Sequence, residues 1–312
     1  MKKCAVFSCK GLGDGLLSLL VSNNLCLNEY EVTTYHSNKL SDLQNWFLHL
    51  PIKSFPMLSA TKIVESFDLI LVSFDDSSTF ILDLIEEGKR KNKLFVLNPS
   101  VSRRVGSQPF YKDSKFSPHI NMVENIQNFC KNTLNFDKIA RSNGIKNPYN
   151  YLIHRKFSKR IVIHPTSAKA GKNWPIEKYI KLAKILEKRN FEPVFVLSSF
   201  EENSYKFLSS NGIKTFVFSN FDNLGSFIYE SGFMIGNDSG IGHLASCLKI
   251  PTFTIFRSKK QATLWRPSFY SSKVFFPNQI IPNFSPFRIR DKNWKKFISV
   301  QGVLKCFFEN SK

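Results

Sequence analysis

The sequence predicts an α/β protein built as two successive domains with open parallel sheets. Three observations carry this. Short apolar, β-branched or aromatic runs alternate with longer stretches of helical period. The alternation stops near residue 141 and restarts near residue 160. The 312-residue length is about twice that of an ordinary domain of roughly 150 residues. The domains are assigned to residues 1–150 and 151–312. The polar segment 141–158, with Gly144, Pro148 and several asparagines, serves as the linker.

In the first half, Cys4–Ser8, Glu31–Tyr35, Asp68–Phe74 and Leu94–Leu97 have the composition of strands. Asp14–Leu27 and Thr79–Lys91 carry a helical period, and so do residues 118–134. The second half opens on a strand at Arg160–His164. A helix follows over Pro175–Arg189, with Ile176, Tyr179, Ala183 and Leu186 on one face and Pro175 as its first residue. Strands at Pro193–Leu197, Lys214–Phe218, Phe233–Ile235 and Thr252–Phe256 alternate with helices over 202–210, 223–231 and 239–248. Trp294–Phe308 reads as a terminal helix. Each half opens on a strand followed by a loop with Gly or Ser, and ligands of open parallel sheets sit beyond the carboxyl ends of the strands. Two such domains facing each other enclose an interdomain cleft.

Hydrophobic residues at 42% and charged residues at 22% exclude a disordered or collagen-like chain and a disulfide scaffold. Lys and Arg number 44 against 24 Asp and Glu, a net charge of +20. That excess favours an anionic partner: nucleic acid, an anionic membrane or a phosphorylated substrate. It is uneven, since residues 1–150 carry 18 basic and 14 acidic groups and residues 151–312 carry 26 and 10. The six cysteines, at 4, 9, 26, 130, 247 and 306, form no CxxC pair and no metal-ligand spacing, as free thiols of a reducing compartment do. No apolar window reaches the roughly 18 residues of a membrane span. Lys2 and Lys3 precede an apolar run, but Lys10 and Asp14 interrupt it and no small-residue cleavage site follows, so the expected location is the cytoplasm. The 31 phenylalanines serve as core material or as exposed contact area near a membrane.

Three loops carry the chemistry. The first is Lys10-Gly11-Leu12-Gly13-Asp14-Gly15, whose glycines let a backbone approach a ligand closely. It is neither a dinucleotide fingerprint nor a P-loop. Asp14 either caps the following helix or acts as a general base. The second, His164 through Pro175, gathers the hydroxyls of Thr166 and Ser167, the amines of Lys169 and Lys172, and a helix start, an array suited to phosphate. The third, Gly236 through Ala245, is a glycine-rich turn into a helix. There Asp238 suits sugar hydroxyls or a helix cap, and His243 is either a packed core histidine or a hydrogen-bond donor to a ligand oxygen.

In their order and spacing these loops resemble glycosyltransferase family 9, the lipopolysaccharide heptosyltransferases. The residues that carry the resemblance are Gly13-Asp14, His164-Pro165-Thr166-Ser167 with Lys172-Asn173-Trp174-Pro175, and Gly236-Asn237-Asp238-Ser239-Gly240 with His243-Leu244-Ala245. Softer echoes are His119 through Asn125 and Leu264-Trp265-Arg266-Pro267. The resemblance implies a GT-B fold of two Rossmann-like domains, the first binding the acceptor and the second the nucleotide sugar. It implies inverting, metal-independent transfer of heptose from ADP-heptose, with no cofactor, to a Kdo or heptose of the lipopolysaccharide inner core. By the same resemblance Asp14 is the catalytic base, with Lys10, Gly11 and Gly13 as the loop around it. Lys172 meets the charge of the departing diphosphate together with Thr166, Ser167 and the amides of Ser239, Gly240 and Ile241. Asp238 holds hydroxyls of the transferred sugar and His243 supports the diphosphate end. Lys169 is the alternative to Lys172, because one more lysine precedes Ala170-Gly171 than the family's tighter loop allows.

A different donor or acceptor within the same family is the nearest competing reading. A nucleotide-sugar 2-epimerase shares the fold but not the pairing of Lys-x-Trp-Pro with Gly-Asn-Asp-Ser-Gly. A nucleic-acid binder rests on charge alone, with no helix-turn-helix, zinc finger or RNP-type signature, and no nucleic acid is expected. Residues 251–312 carry 12 basic groups against 2 acidic ones, more than one diphosphate needs. The expected partners are therefore a nucleotide sugar, an anionic glycolipid of the Kdo-lipid A type, and the inner leaflet of the inner membrane, met peripherally by Lys292, Lys295, Lys296 and neighbouring Phe residues.

Overall fold

The computed structural model describes residues 1–36, 39–75, 77–97, 115–284 and 288–311. They fall into two compact units, Met1–Pro148 and Tyr149–Lys312.

The first unit runs β1 (Lys2–Phe7), α1 (Leu12–Leu27), β2 (Tyr30–His36), a 3-10 helix (Lys39–Phe47), β3 (Ile52–Ser54), α2 (Ala60–Ser66), β4 (Leu69–Ser73), α3 (Thr79–Arg90), β5 (Leu94–Leu97) and α4 (Met122–Asn132). Its five strands lie in the order β3-β2-β1-β4-β5, and every pairing is parallel. The chain leaves β1 in one direction across the sheet and returns to its other side at β4. That reversal opens a crevice at the carboxyl ends of these two strands. On one face Ala5, Phe7, Ile70, Val72 and Val96 join Ile63, Ile81 and Leu84 of the covering helices in a closed core.

The second unit runs β6 (Phe157–His164), α5 (Ile176–Glu187), β7 (Glu192–Ser198), α6 (Glu202–Tyr205), α7 (Phe207–Ser210), β8 (Thr215–Phe218), α8 (Phe221–Tyr229), β9 (Ser231–Asn237), α9 (Gly240–Cys247), β10 (Thr252–Ile255), α10 (Lys259–Trp265), β11 (Ser272–Phe275), α11 (Ile289–Lys292), α12 (Trp294–Phe297) and α13 (Val300–Asn310). Its six strands, also all parallel, take the order β11-β10-β9-β6-β7-β8. The switch point lies between β6 and β9, so the loops after these strands share one crevice. Trp174, Tyr179 and Leu186 fill the core together with Trp294, Val303 and Phe307 of the terminal helices.

Several elements depart from the sequence reading. The segment assigned as a linker, 141–158, is divided between the units. Its first residues, together with the stretch from Lys138 that precedes them, are strapped to α1 by asparagines one helical turn apart or adjacent. Asn28 Nδ2 donates to Lys138 O at 2.8 Å, Asn24 Nδ2 to Ala140 O at 3.1 Å, and Asn23 Nδ2 to Ser142 O at 2.9 Å. Asn143 is buried and donates to Leu16 O. Polar composition suggested a solvated connection, but these amides replace water for a strap that crosses a helix. At the other end, 157–158 already belongs to β6.

The terminal helix is two helices, broken at Ile298–Ser299. There the Ser299 hydroxyl accepts from Gly302 N at 3.0 Å and starts α13 anew. Helix 202–210 divides at Lys206. The strand expected at 233–235 extends over 231–237 and is buried throughout, lengthened by Gly232 and Gly236, whose type argued against a strand. Sequence reading missed the 3-10 helix, although Leu40, Leu43 and Trp46 recur there every third residue and are buried, and it missed α2 and the short edge strands β3 and β11, which carry too few apolar residues to show a period. The six cysteines are free. No described helix is long and apolar enough to cross a membrane.

Candidate active site

In the first unit, β1 delivers the chain to Gly11, whose extended backbone (φ −75°, ψ 139°) forms the N-cap of α1 without any side-chain cap. Asp14 is thus not the cap residue; it stands in the first turn of α1, where the helix dipole favours an acid. Its carboxylate folds back over Gly11, so closely that a Cβ there would lie 2.5 Å from Asp14 Oδ2. Only glycine leaves that space. His36, buried at the end of β2, reaches Gly11 O with Nε2 at 3.3 Å and supports the loop from beneath. Lys10 is exposed, and Gly13 and Asp14 are half-buried.

A second carboxylate shares this crevice. Asp75 follows β4, the neighbour of β1, and its Oδ1 accepts from Ser77 N at 2.9 Å. Cys9 senses both acids: burial, then the charges of Asp14 and Asp75, push its thiol up to about 12. The thiol donates to Phe74 O and remains neutral. Sequence reading missed Asp75, although a carboxylate directly after a strand in a parallel sheet was the available signal.

The second unit is organised around Asn237, the last residue of β9 and fully buried. Its Nδ2 donates to Pro165 O at 2.5 Å, while its Oδ1 accepts from Trp174 N at 3.0 Å and Tyr179 Oη at 2.9 Å. One carboxamide thereby fixes both ends of the loop 165–174. Trp174 is buried too, and its indole N–H donates to Ile298 O at 3.2 Å. Within the loop, the one Ser167 hydroxyl proton is directed to Asn173 Oδ1 at 2.6 Å, with Lys169 O at 3.1 Å as the weaker second acceptor. The short turn at Ala170–Lys172 then carries Lys172 across to Asp238, Nζ to Oδ2 at 2.7 Å. Lys169 is exposed and joins no such pair. Of the two lysines, Lys172 is the one that pairs with Asp238.

Buried His164 connects the second loop to the third. Nδ1 lies 3.2 Å from Ser239 Oγ and Nε2 lies 3.0 Å from Thr166 Oγ1. Thr166 in turn bonds the Glu201 carboxylate, which also accepts from the Ser198 amide and hydroxyl at 2.8 and 2.7 Å. Although burial alone raises the Glu201 carboxyl, these donors, with Thr166 first, bring it below its ordinary value. A carboxylate accepts only, so the Thr166 proton points to Glu201. His164 Nε2–H then donates to Thr166, and the Ser239 hydroxyl donates to Nδ1. Burial holds His164 down to about 4, so the ring is neutral and this direction is stable at neutral pH. Sequence reading missed His164 and Glu201 as members of the network and set the Thr166 hydroxyl towards a ligand.

Ser239, not Asp238, occupies the N-cap position of α9, without a side-chain cap, and the Gly240 and Ile241 amides head the helix where no intrahelical carbonyl meets them. Gly236 lets β9 approach β6, since a Cβ there would lie 2.7 Å from His164 O. The interior holds His243: its ring donates to Trp265 O, and burial pushes it down to about 4. The single proton of the neutral ring is spent on that carbonyl, and Nδ1 is a buried acceptor. A ligand oxygen receives no proton from it. Pro267 lies over Gly242, so the Leu264–Pro267 echo also packs on α9. Among the described residues no group of three or more His, Cys, Asp or Glu is placed to hold a metal ion.

The sheet of each unit, with its loops at the switch point, invites comparison with known proteins. The crystal structure of a glycosyltransferase family 9 protein from Veillonella parvula superposes with a TM-score of 0.71 over 99% of this chain and 96% of its own, at 13% identity. The heptosyltransferase WaaC of E. coli, determined with ADP, gives 0.66 over 99% and 100% at 12% identity. The E. coli ADP-heptose LPS heptosyltransferase II gives 0.57 over 97% and 99% at 14% identity. At such identities these likenesses show the fold: two parallel-sheet α/β domains of GT-B type. No curated protein matches the sequence. The family model described as glycosyltransferase family 9 (heptosyltransferase) matches residues 103–276, over half of the chain and inclusive of the second and third loops. The protein is a glycosyltransferase and belongs to glycosyltransferase family 9, the heptosyltransferase family.

Proposed function

We propose that the protein moves a heptose from ADP-heptose to a Kdo or heptose of the lipopolysaccharide inner core, with inversion at the anomeric carbon. The observation that carries this reading is the Lys172–Asp238 pair at the head of α9, at the switch point of the second sheet. A cation, free helix amides and a sugar-binding carboxylate stand together there, the set a nucleotide diphosphate sugar requires. Support also comes from the family assignment and from the nucleotide that the names of the E. coli proteins carry.

In this reading the acceptor hydroxyl oxygen bonds to the anomeric carbon as the bond from that carbon to the diphosphate oxygen breaks. Asp14 takes the hydroxyl proton, and ADP departs with the electron pair. Proton transfer to a positioned base contributes about 10²–10⁴-fold. Charge grows on the leaving diphosphate, and Lys172 with the amides of Gly240 and Ile241 stabilises it. The arriving diphosphate competes with Asp238 for Lys172, which frees the Asp238 carboxylate for hydroxyls of the transferred sugar. This division assigns the acceptor to the first unit and the donor to the second, in a cytoplasmic enzyme.

The test offers ADP-heptose and Kdo-lipid A to the purified protein and reads the acceptor by mass spectrometry. The expected result is the added mass of one heptose. Transfer from another nucleotide sugar, with none from ADP-heptose, overturns the donor. Transfer only to acceptors lacking Kdo and heptose overturns the acceptor.

A further inference from the structure

In the proposed reading, two of the three parts of a nucleotide sugar have partners at the carboxyl ends of the second sheet. The diphosphate falls to Lys172 and the head of α9, and the transferred sugar to Asp238. The nucleoside still lacks one. Its base is a flat ring system that binds by stacking on an aromatic face. The loops that flank the switch point are the places to search for such a face.

On one flank the loop follows β10, the neighbour of β9. It exposes Arg257, Lys259 and Lys260 around Ser258, whose hydroxyl caps α10 by accepting from Gln261 N. Those are side chains for an anion. On the other flank the loop follows β7, the neighbour of β6. It is the tight turn Ser198-Ser199-Phe200-Glu201, closed by Glu201 N donating to Ser198 O at 3.0 Å. Phe200 stands third in this turn and is 91% exposed, the most exposed phenylalanine of the described residues. Exposure alone says little, because single apolar side chains are common at a surface. The place says more. The Glu201 carboxylate accepts from the Ser198 amide at 2.8 Å and is bonded by Thr166, so the turn is tied to the loop after β6. Phe200 is thus carried on a pinned turn, beside the strand from which the Lys172 loop departs. Adjacent strands lie about 5 Å apart, a step that the ribose spans between its phosphates and its base.

We propose that Phe200 is the platform on which the base of the donor nucleotide stacks. The inference rests on the reading that the second unit binds a nucleotide sugar, and it names the side chain that holds the nucleoside end. Stacking reads a face and no edge, so Phe200 sets the affinity for the nucleotide and leaves the choice of base to other contacts.

Calorimetry on the whole chain tests it, with ADP, UDP and inorganic pyrophosphate as ligands. Phe200→Ala is expected to weaken ADP binding about tenfold and to leave pyrophosphate binding within twofold. Phe200→Trp is expected to keep ADP affinity within twofold, and its added indole fluorescence is expected to be quenched by ADP and not by pyrophosphate. Phe207→Ala removes another exposed phenylalanine, on α7, and is expected to change neither affinity. ADP binding that survives Phe200→Ala, or equal loss of ADP and pyrophosphate, overturns the platform. Wild-type protein that binds pyrophosphate as tightly as ADP also overturns it, and leaves the diphosphate site standing. If UDP binds and ADP does not, the adenine donor fails instead, and the same contrast read on UDP decides the platform. Absence of binding by all three ligands overturns both readings.

Discussion

The two units place their chemistry at the same topological point and secure it by different means. In the first unit Asp14 depends on its own helix start: a glycine it folds over, and one histidine beneath the loop. The strong long-range fastening lies elsewhere, along the asparagines of α1. In the second unit the loops themselves are interlocked, by Asn237, by the His164 network and by the Lys172–Asp238 pair. For the roles proposed above, the difference teaches that a base acting through one proton needs only a defined carboxylate. A diphosphate site gathers donors from two loops, which must be held to each other before the ligand arrives.

The sharpest test of this contrast is Asp14→Asn. It should lower turnover by about 10²-fold or more, leave ADP affinity within twofold, and leave unfolding unchanged; near-normal turnover removes Asp14 as the base. Asn237→Ala attacks the other unit. It deletes three hydrogen bonds and strands the buried Tyr179 hydroxyl, a loss of about 3 kcal/mol in denaturant unfolding. A loss below about 1 kcal/mol would show that the loop is held by other means.

Acid should act chiefly on the second unit, since the first holds His49 below its ordinary value, by burial and by Lys146, but without the large shifts of His164 and His243. His164 and His243 are held near 4 against an ordinary 6.5. Between those values the unfolded chain binds protons that the folded chain refuses, so stability is full above about pH 6.5 and falls as pH drops towards 4. Glu201, held below its ordinary value, adds loss in the same direction at the acid end. Unfolding followed by tryptophan fluorescence in a Trp46→Phe background, which leaves only the tryptophans of the second unit, should show this slope, and His243→Gln should flatten it. Lys172→Ala should weaken ADP binding about tenfold, a typical value for one charge-assisted contact, as read by calorimetry. The smallest effect belongs to the strap: Asn28→Ala should cost about 1 kcal/mol in unfolding of the first unit, with turnover and ADP affinity intact.

Fold class, the family and the three loops were legible because each rests on local pattern: alternation of runs, glycine spacing, and a lysine in register with Trp174-Pro175. The three-dimensional roles were less so. Asn237 is one letter inside a loop motif, and nothing in its neighbours announces that its carboxamide serves Pro165, Trp174 and Tyr179, up to 72 positions away. The strap of 138–143 was hidden for the same reason. Asparagine and glycine composition describes a solvated linker and a hydrogen-bonded strap equally well, and only the asparagines of α1 that face it in three dimensions distinguish them. His243 shows the converse: its place in a motif suggested a ligand, while the Trp265 carbonyl at the end of α10 claims its proton.

The chain of protons that runs from Ser239 through His164 and Thr166 to Glu201 has a chemical polarity. Its far end is a carboxylate, so every hydrogen in it is committed inward and Ser239 Oγ offers only lone pairs to whatever lies at the head of α9. A ligand group that meets that oxygen must bring its own hydrogen. A sugar hydroxyl satisfies this demand, and an ionised phosphate oxygen does not. In the proposed reading, a half-buried acid at the far end of the network thus sorts the two halves of a nucleotide sugar, leaving the phosphates to Lys172 and the backbone amides.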